Sequence, residues 1–227
     1  PENPDSWSWS ALYRPAGEVG GDFYDYCERG SRVDWFIADI CGKGVPGALI
    51  AGMLKGLLKS LFSLDLSPRQ LVLRVNAMLL GELPKGMFLT ALALRAERDG
   101  RLKYANASHT LCFLLRKSDR GYCLEGLPPS GVALGFMHEE NFTRELVEVD
   151  LKLSPGDLLV IYTDGLTDAR NRRRELFGEP RLREFLQDRH FESPSELTIT
   201  LCEELEKYQK GCSQYDDITL IVGAYSG

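Results

Sequence analysis

Read for the spacing of apolar and polar positions, the chain begins as strands. Residues 7–14 (WSWSALYR) and 32–40 (RVDWFIADI) are rich in aromatic and β-branched side chains. The second run stops at Asp39, in front of a Gly-rich turn, CGKGVPG. Pro46 stands where a first helical turn would begin. From there ALIAGMLKGLLKSLF reads as a buried helix, with Leu49, Met53, Leu57 and Leu61 at i, i+4 spacing. Ser67-Pro68-Arg69-Gln70 is a capping box that opens a second helix through Leu71, Val75, Met78 and Leu79. Strands then return as FLTALALRAE, RLKYANAS and TLCFLLRK, separated by turn signals and read together as an antiparallel meander. RELVEVDLKL alternates like a half-exposed strand. Pro155-Gly156-Asp157 turns into the apolar run DLLVIYTDG. A second capping box, Ser193-Pro194-Ser195-Glu196, opens a helix with Leu197, Leu201 and Leu205 on one stripe, and DDITLIVGAY closes the chain as a strand. Strands, helices, strands, helices and a last strand predict an α+β fold, not a βαβ repeat.

The helix from Pro46 to Phe62 carries more apolar residues than one buried stripe needs: Leu49, Ile50, Met53, Leu54, Leu57, Leu58, Leu61 and Phe62. Two readings account for the surplus. One is a control element with a second buried surface, against the Ser67–Leu80 helix, another subunit or an upstream coiled linker. The other is a helix buried twice within one domain.

At 227 residues with 44% hydrophobic composition the chain can bury a sizeable core. A net charge of −6 argues against a nucleic-acid binder, which needs a basic face. The six cysteines form no C-x-x-C pair and read as free thiols of a reducing cytoplasm. No apolar run is long enough to span a bilayer, so no membrane contact is expected of this domain. The opening PENPDSW reads as the start of a fragment from a longer chain, in which a membrane anchor, sensor or receiver could precede it.

Chemistry enters with four aspartates at the ends of apolar strands. Asp22 follows Gly20-Gly21, Asp39 ends WFIAD, Asp164 ends LLVIYTD and Asp216 starts DDITLIV. A carboxylate at such an edge is costly unless water, a donor or a cation satisfies it. All-carboxylate ligation points to the hard cations Mg²⁺ or Mn²⁺, not zinc. His109, His138 and His190 have no partners at metal-ligand spacing and read as structural. Gly42-Lys43-Gly44 does not fit the phosphate-loop frame, and Gly20-Gly21-Asp22-Phe23 lacks the further acidic residue of a diguanylate cyclase signature. A covalent-aspartate phosphatase wants an acid two residues past Asp164, where Leu166 stands.

GEVGGDFYD, FIADICGKGVPGALIA, FLTALAL, YANASH, LSPGDLLVIYTDGLTDARN and DDITLIV occur in this order along nearly the whole chain. Together they resemble the stage II sporulation protein E-type branch of the metal-dependent (type 2C) protein serine/threonine phosphatases. The resemblance implies one domain over residues 1–227, a four-layer α-β-β-α sandwich with two central antiparallel sheets flanked by helices. It implies that Asp39 bridges two divalent cations, that Ile40 (where many relatives have Gly) offers its backbone carbonyl, and that Asp22, Asp164 and Asp216 complete the ligand set. Asp217 and Asp168 are further candidates, and Arg14 is a candidate phosphate contact. Two cations about 3.5–4 Å apart activate a bridging water for in-line attack on a phosphomonoester. The implied substrate is a phosphoserine or phosphothreonine on an anti-sigma-factor antagonist, with a homodimer as a further candidate assembly. The alternative is a catalytically weak or inactive docking module of the same fold. Ser108 stands where Gly is common in YANASH, and Phe136 follows Gly135 near a usual PLG turn.

Overall fold

A computed structural model describes residues 6–42, 44–118, 121–187 and 189–227; the opening segment 1–5 and Lys43 of the CGKG turn lie outside the described residues. In chain order the strands are β1 (Trp7–Arg14), β2 (Asp22–Arg29), β3 (Arg32–Ile40), β4 (Leu89–Glu97), β5 (Arg101–Ala107), β6 (Cys112–Ser118), β7 (Gly121–Leu127), β8 (Glu148–Lys152), β9 (Leu158–Tyr162) and β10 (Ile218–Tyr225). The helices are α1 (Val45–Leu61), α2 (Pro68–Leu79), α3 (Glu139–Glu145), α4 (Asp164–Thr167), α5 (Gly178–Gln187) and α6 (Pro194–Gln209).

The chain divides into two compact units, each assembled from separated stretches. The first, Glu18–His109 with Pro128–Lys152, holds a sheet in the order β2-β3-β4-β5-β8. The second combines the segment ending at Gly17 with Thr110–Leu127 and Leu153–Gly227, and its sheet runs β1-β10-β9-β6-β7. Every strand pair in both sheets is antiparallel. The α+β class expected from the chain's pattern therefore holds: two antiparallel sheets flanked by helices.

Period-two alternation selects the face each sheet turns to its helices. In the first unit Phe36, Ala38 and Ile40 of β3 join Leu89, Ala91 and Ala93 of β4 against Leu54 and Leu58 of α1 and Val72 and Val75 of α2. In the second, Leu158, Val160 and Tyr162 of β9 join Leu220 and Val222 of β10 against Leu182 of α5 and Leu197 and Leu201 of α6. Each leucine buried this way stabilises by roughly 1.5–3 kcal/mol.

Both predicted caps form. Ser67 Oγ accepts from the Gln70 N–H at 3.4 Å while Gln70 Oε1 accepts from the Ser67 N–H at 2.8 Å. At α6, Ser193 Oγ accepts the Glu196 N–H at 3.1 Å, but Glu196 reaches back to the Glu192 N–H instead of Ser193.

Four expectations are corrected. The meander ends at β5: Ser108 takes φ 56° and the His109 N–H turns back to Asn106 Oδ1 at 2.8 Å. TLCFLLRK (β6) therefore joins the other sheet, while β8 takes the edge beside β5. Helix α1 buries Ile50, Leu54, Leu58 and Leu61 and leaves Leu49 71% exposed, so its core stripe lies one position beyond the expected one. In α2, Met78 faces outward, 47% exposed, and Val72 takes the core place. The first part of RELVEVDLKL is the end of α3, which Arg69 holds in place by donating to Thr143 O at 2.6 Å and Leu146 O at 2.9 Å. All six cysteines are free thiols. Burial pushes the Cys112 thiol up to about 12. Among the described residues no helix is long and apolar enough to cross a membrane.

Candidate metal centre

The first unit sets Asp22 directly opposite Asp39 in the β2–β3 ladder. The next residue along, Ile40, donates its N–H to Gly21 O at 3.3 Å, so the Asp22–Asp39 pair is of the non-hydrogen-bonded kind, in which side chains lie closest. Both carboxylates therefore stand side by side on one face. Like charges in that arrangement repel, and a cation between them removes the penalty. Ile40 buries its side chain in the core while its carbonyl lies against Gly21, where an added Cβ would come within 2.8 Å of Ile40 O. The backbone thus has no room for any residue but glycine at position 21. The Ile40 side chain, by contrast, points away from this contact, which explains why a large residue is accepted there.

Thr90 of β4 lies opposite Asp39 on its other side, and its Oγ1 contacts His109 Nδ1 at 2.9 Å. His138 stands at the N-cap of α3 without a capping hydrogen bond from its side chain, and His190 stacks on Tyr122 at 5.7 Å.

In the second unit the apolar strand β9 delivers Asp164 to the first turn of α4. Thr163 ties that turn to β10: its N–H donates to Thr219 O at 3.0 Å and its Oγ1 accepts from the Thr219 N–H at 2.9 Å. The α4 backbone then lies so close to the segment before β10 that a Cβ on Gly165 would sit 1.9 Å from Asp217 O. Asp164 is exposed and Asp216 half-buried, whereas Asp217 is buried. Asp217 Oδ1 accepts the Ala16 N–H at 2.7 Å, fixing the chain beyond β1. Asp216 Oδ1 accepts the Asp217 N–H at 3.0 Å. Gln214 braces the same turn, donating to Arg14 O and Asp216 O, each at 2.8 Å. Asp168 caps α4, its N–H donating to Asp164 O at 2.7 Å. Arg14 pairs with Glu206 at 2.8 Å.

Two pairs are thus assembled, Asp22 with Asp39 and Asp164 with the Asp216–Asp217 turn, one in each unit. Among the described residues no group of three or more His, Cys, Asp or Glu forms a ready metal cluster. The donors are carboxylate and carbonyl oxygens throughout, a set that fits magnesium- or manganese-class ions. The chain's pattern had not singled out Thr163 or Gly165; the only signal was their position on either side of Asp164 in YTDG.

The family model for stage II sporulation protein E (SpoIIE) matches residues 29–225. Protein IcfG of Synechocystis sp. (strain ATCC 27184 / PCC 6803 / Kazusa) is 32% identical over 245 residues, covering 95% of this chain and 37% of that protein. The phosphoserine phosphatase RsbU of Bacillus subtilis (strain 168) is 28% identical over 213 residues, 93% of this chain and 61% of RsbU. The chain therefore spans between about a third and three-fifths of the length of these curated relatives. Among solved structures, the SiaA-PP2C domain of Pseudomonas aeruginosa superposes with a TM-score of 0.81 at 23% identity, over 96% of this chain and 86% of that one. Neighbours of the same fold have been solved with magnesium and with two manganese ions. With the fold shared and the family model covering most of its length, the chain belongs to the stage II sporulation protein E (SpoIIE) family.

Proposed function

We propose that the protein is a metal-dependent protein serine/threonine phosphatase and that residues 1–227 form one catalytic domain of a longer signalling protein. The observation that carries this reading is the in-register opposition of Asp22 and Asp39, with the Ile40 carbonyl pressed against Gly21 beside them. Asp22, Asp39, the Ile40 carbonyl, Asp164 and Asp216 are the groups that would hold two divalent ions of the Mg²⁺ or Mn²⁺ class. When bound, such ions lower the pKa of coordinated water and neutralise phosphoryl oxygens.

The residues of the chain hold and orient. The β2–β3 ladder fixes the spacing of the Asp22 and Asp39 carboxylates, and the Thr163–Thr219 and Gly165–Asp217 contacts fix the approach of Asp164 to Asp216. We assign Asp216, not Asp217, to the ligand set, because the Asp217 carboxylate is buried and committed to the Ala16 N–H. Asp168 remains a further candidate. Arg14 is the candidate phosphate contact and would have to exchange Glu206 for the phosphoryl group. No side chain is required as a nucleophile.

The family and the relative named a phosphoserine phosphatase support phosphoserine or phosphothreonine on an anti-sigma-factor antagonist as the substrate, in a cytoplasmic partner-switching pathway. The greater length of the relatives supports an upstream sensory or receiver region. The test is hydrolysis of p-nitrophenyl phosphate and of a phosphorylated antagonist. Turnover is expected with Mn²⁺ or Mg²⁺ and none in excess EDTA. Full activity in EDTA, or in Asp39→Ala, overturns the reading.

A further inference from the structure

Six residues beyond Asp164 the chain enters a tight turn that carries Arg172, Arg173 and Arg174 in succession. One side chain fixes its backbone: Asn171 Oδ1 accepts the N–H of Arg173 at 2.9 Å and of Glu175 at 3.1 Å. Arg170 and Leu176 close the turn as an antiparallel bridge, and Arg174 sits at φ 63°, a conformation that disfavours side chains. Against the turn lies the end of α6. The Tyr208 hydroxyl shares its one proton between Glu175 O at 3.1 Å and Leu176 O at 2.9 Å, and Arg172 Nε donates to Lys210 O at 3.0 Å. Between them opens a cleft of about 450 Å³ lined by Asn171, Arg172, Arg173, Glu175, Tyr208 and Lys210.

The charge of this cleft runs against that of the protein. The chain carries 33 acidic and 27 basic residues. Arg14, Arg32, Arg101, Arg116, Arg183 and Arg189 each pair with a carboxylate. Among the described residues Arg172, Arg173 and Lys210 form no ion pair. The one carboxylate in the lining, Glu175, is held by Asn171 Nδ2 at 2.7 Å. Three cations are thus presented on a braced backbone against a single carboxylate, so the lining stays net positive. Guanidinium groups match carboxylates in planar, two-pronged hydrogen bonds. An acidic partner approaching this protein meets net repulsion at long range, and a local cationic cleft is where it would gain attraction.

We propose that the cleft between the Asn171–Glu175 turn and the end of α6 is a docking site for a carboxylate-rich segment of the protein substrate. The docking site recognises residues flanking the phosphoryl group and takes no part in the reaction; its substrate role rests on the phosphatase reading above.

The test compares two phosphoserine peptides, one flanked by glutamates and one by glutamines, alongside p-nitrophenyl phosphate. For the wild-type protein KM is expected to be about tenfold lower for the glutamate peptide. Arg172→Gln/Arg173→Gln/Lys210→Gln is expected to abolish that difference while leaving kcat and p-nitrophenyl phosphate kinetics unchanged. Arg173→Glu alone, at a side chain with no hydrogen bond among the described residues, is expected to remove at least part of it without disturbing the turn. Equal KM for both peptides in the wild type, or a preference that survives the triple variant, overturns the proposal. Fluorescence anisotropy of the unphosphorylated glutamate peptide needs no turnover. Salt-sensitive binding that the triple variant lacks, in a protein that hydrolyses nothing, supports the docking site and overturns the phosphatase reading alone.

Discussion

Asp22 and Asp39 are fixed by a β-ladder, whereas Asp164 and Asp216 are fixed by a short helix laid against a turn. In the ladder many backbone bonds share the work, and a slip of one residue between β2 and β3 would put the two carboxylates on opposite faces. In the second unit the geometry hangs on a few contacts, chiefly Thr163 with Thr219 and Gly165 with Asp217. Apart from Gly21, positions around the ladder-borne carboxylates therefore tolerate change, and the turn-borne carboxylates depend on single neighbours.

Removing a ladder-borne carboxylate is expected to have the largest effect on chemistry and the smallest on folding. Asp39→Ala should lower Mn²⁺-supported turnover by on the order of 10³-fold. Its melting temperature in EDTA should stay near that of the wild type, because the ladder is held by backbone bonds. A melting temperature well below wild type would show that the ladder depends on this side chain after all. Next comes Gly165→Ala, which forces a methyl into the Asp217 carbonyl. A loss of roughly 2–4 kcal/mol in urea unfolding is expected, against about 1–3 kcal/mol for Gly21→Ala, whose clash at 2.8 Å is milder. Equal losses would erase the contrast between the two pairs. Thr163→Val keeps the shape but strips the acceptor from the buried Thr219 N–H. A cost of about 1–2 kcal/mol is expected, with a higher Mn²⁺ concentration needed for half-maximal turnover as the accompanying sign. The smallest effect belongs to Ser108→Gly. Relief of a left-handed residue, offset by glycine's chain entropy and the lost bond from Ser108 Oγ to Gly131 O, leaves a gain of about 0.5 kcal/mol. A lower melting temperature for that variant would mean the hydroxyl outweighs the strain.

The same contrast explains what could be read from the chain. β1, β3 and β9 were legible because apolar runs and turn signals bound them; Asp39 and Asp164 stood out as the ends of such runs and Asp216 as the start of one, whereas Asp22 was marked only by the Gly20-Gly21 before it. The caps at Ser67 and Ser193 were legible because their chemistry is local. The buried face of α1 was not: leucine-rich stripes through Leu49 and through Ile50 run side by side, and periodicity alone cannot choose between them. β7 escaped notice because GYCLEGL carries two glycines and little alternation. The transfer of β6 to the second sheet depends on the backbone turn at Ser108, where a serine occupies a glycine's conformation. Gly165 and Thr163 act through contacts more than fifty residues away, to which no local pattern points.

The pairing of β1 with β10 along its whole length, from Trp7↔Tyr225 to Arg14↔Ile218, also dictates an order of events at the ribosome. The first unit has all its strands once Lys152 has emerged, but β1 lies at the edge of its sheet beside β10, the last of the described strands to be synthesised. At translation speeds of about 5–20 residues per second, β1 waits roughly 10–40 s for its partner. During that interval two tryptophans and an unpaired strand edge are open to chaperones and to other nascent chains. A stalled nascent chain with Lys152 just clear of the exit is therefore expected to resist protease across Asp22–Ala107, the stretch that holds β2 to β5, while remaining cleavable within Trp7–Arg14. Protection of both segments at that length would mean that β1 finds a provisional partner before β10 exists.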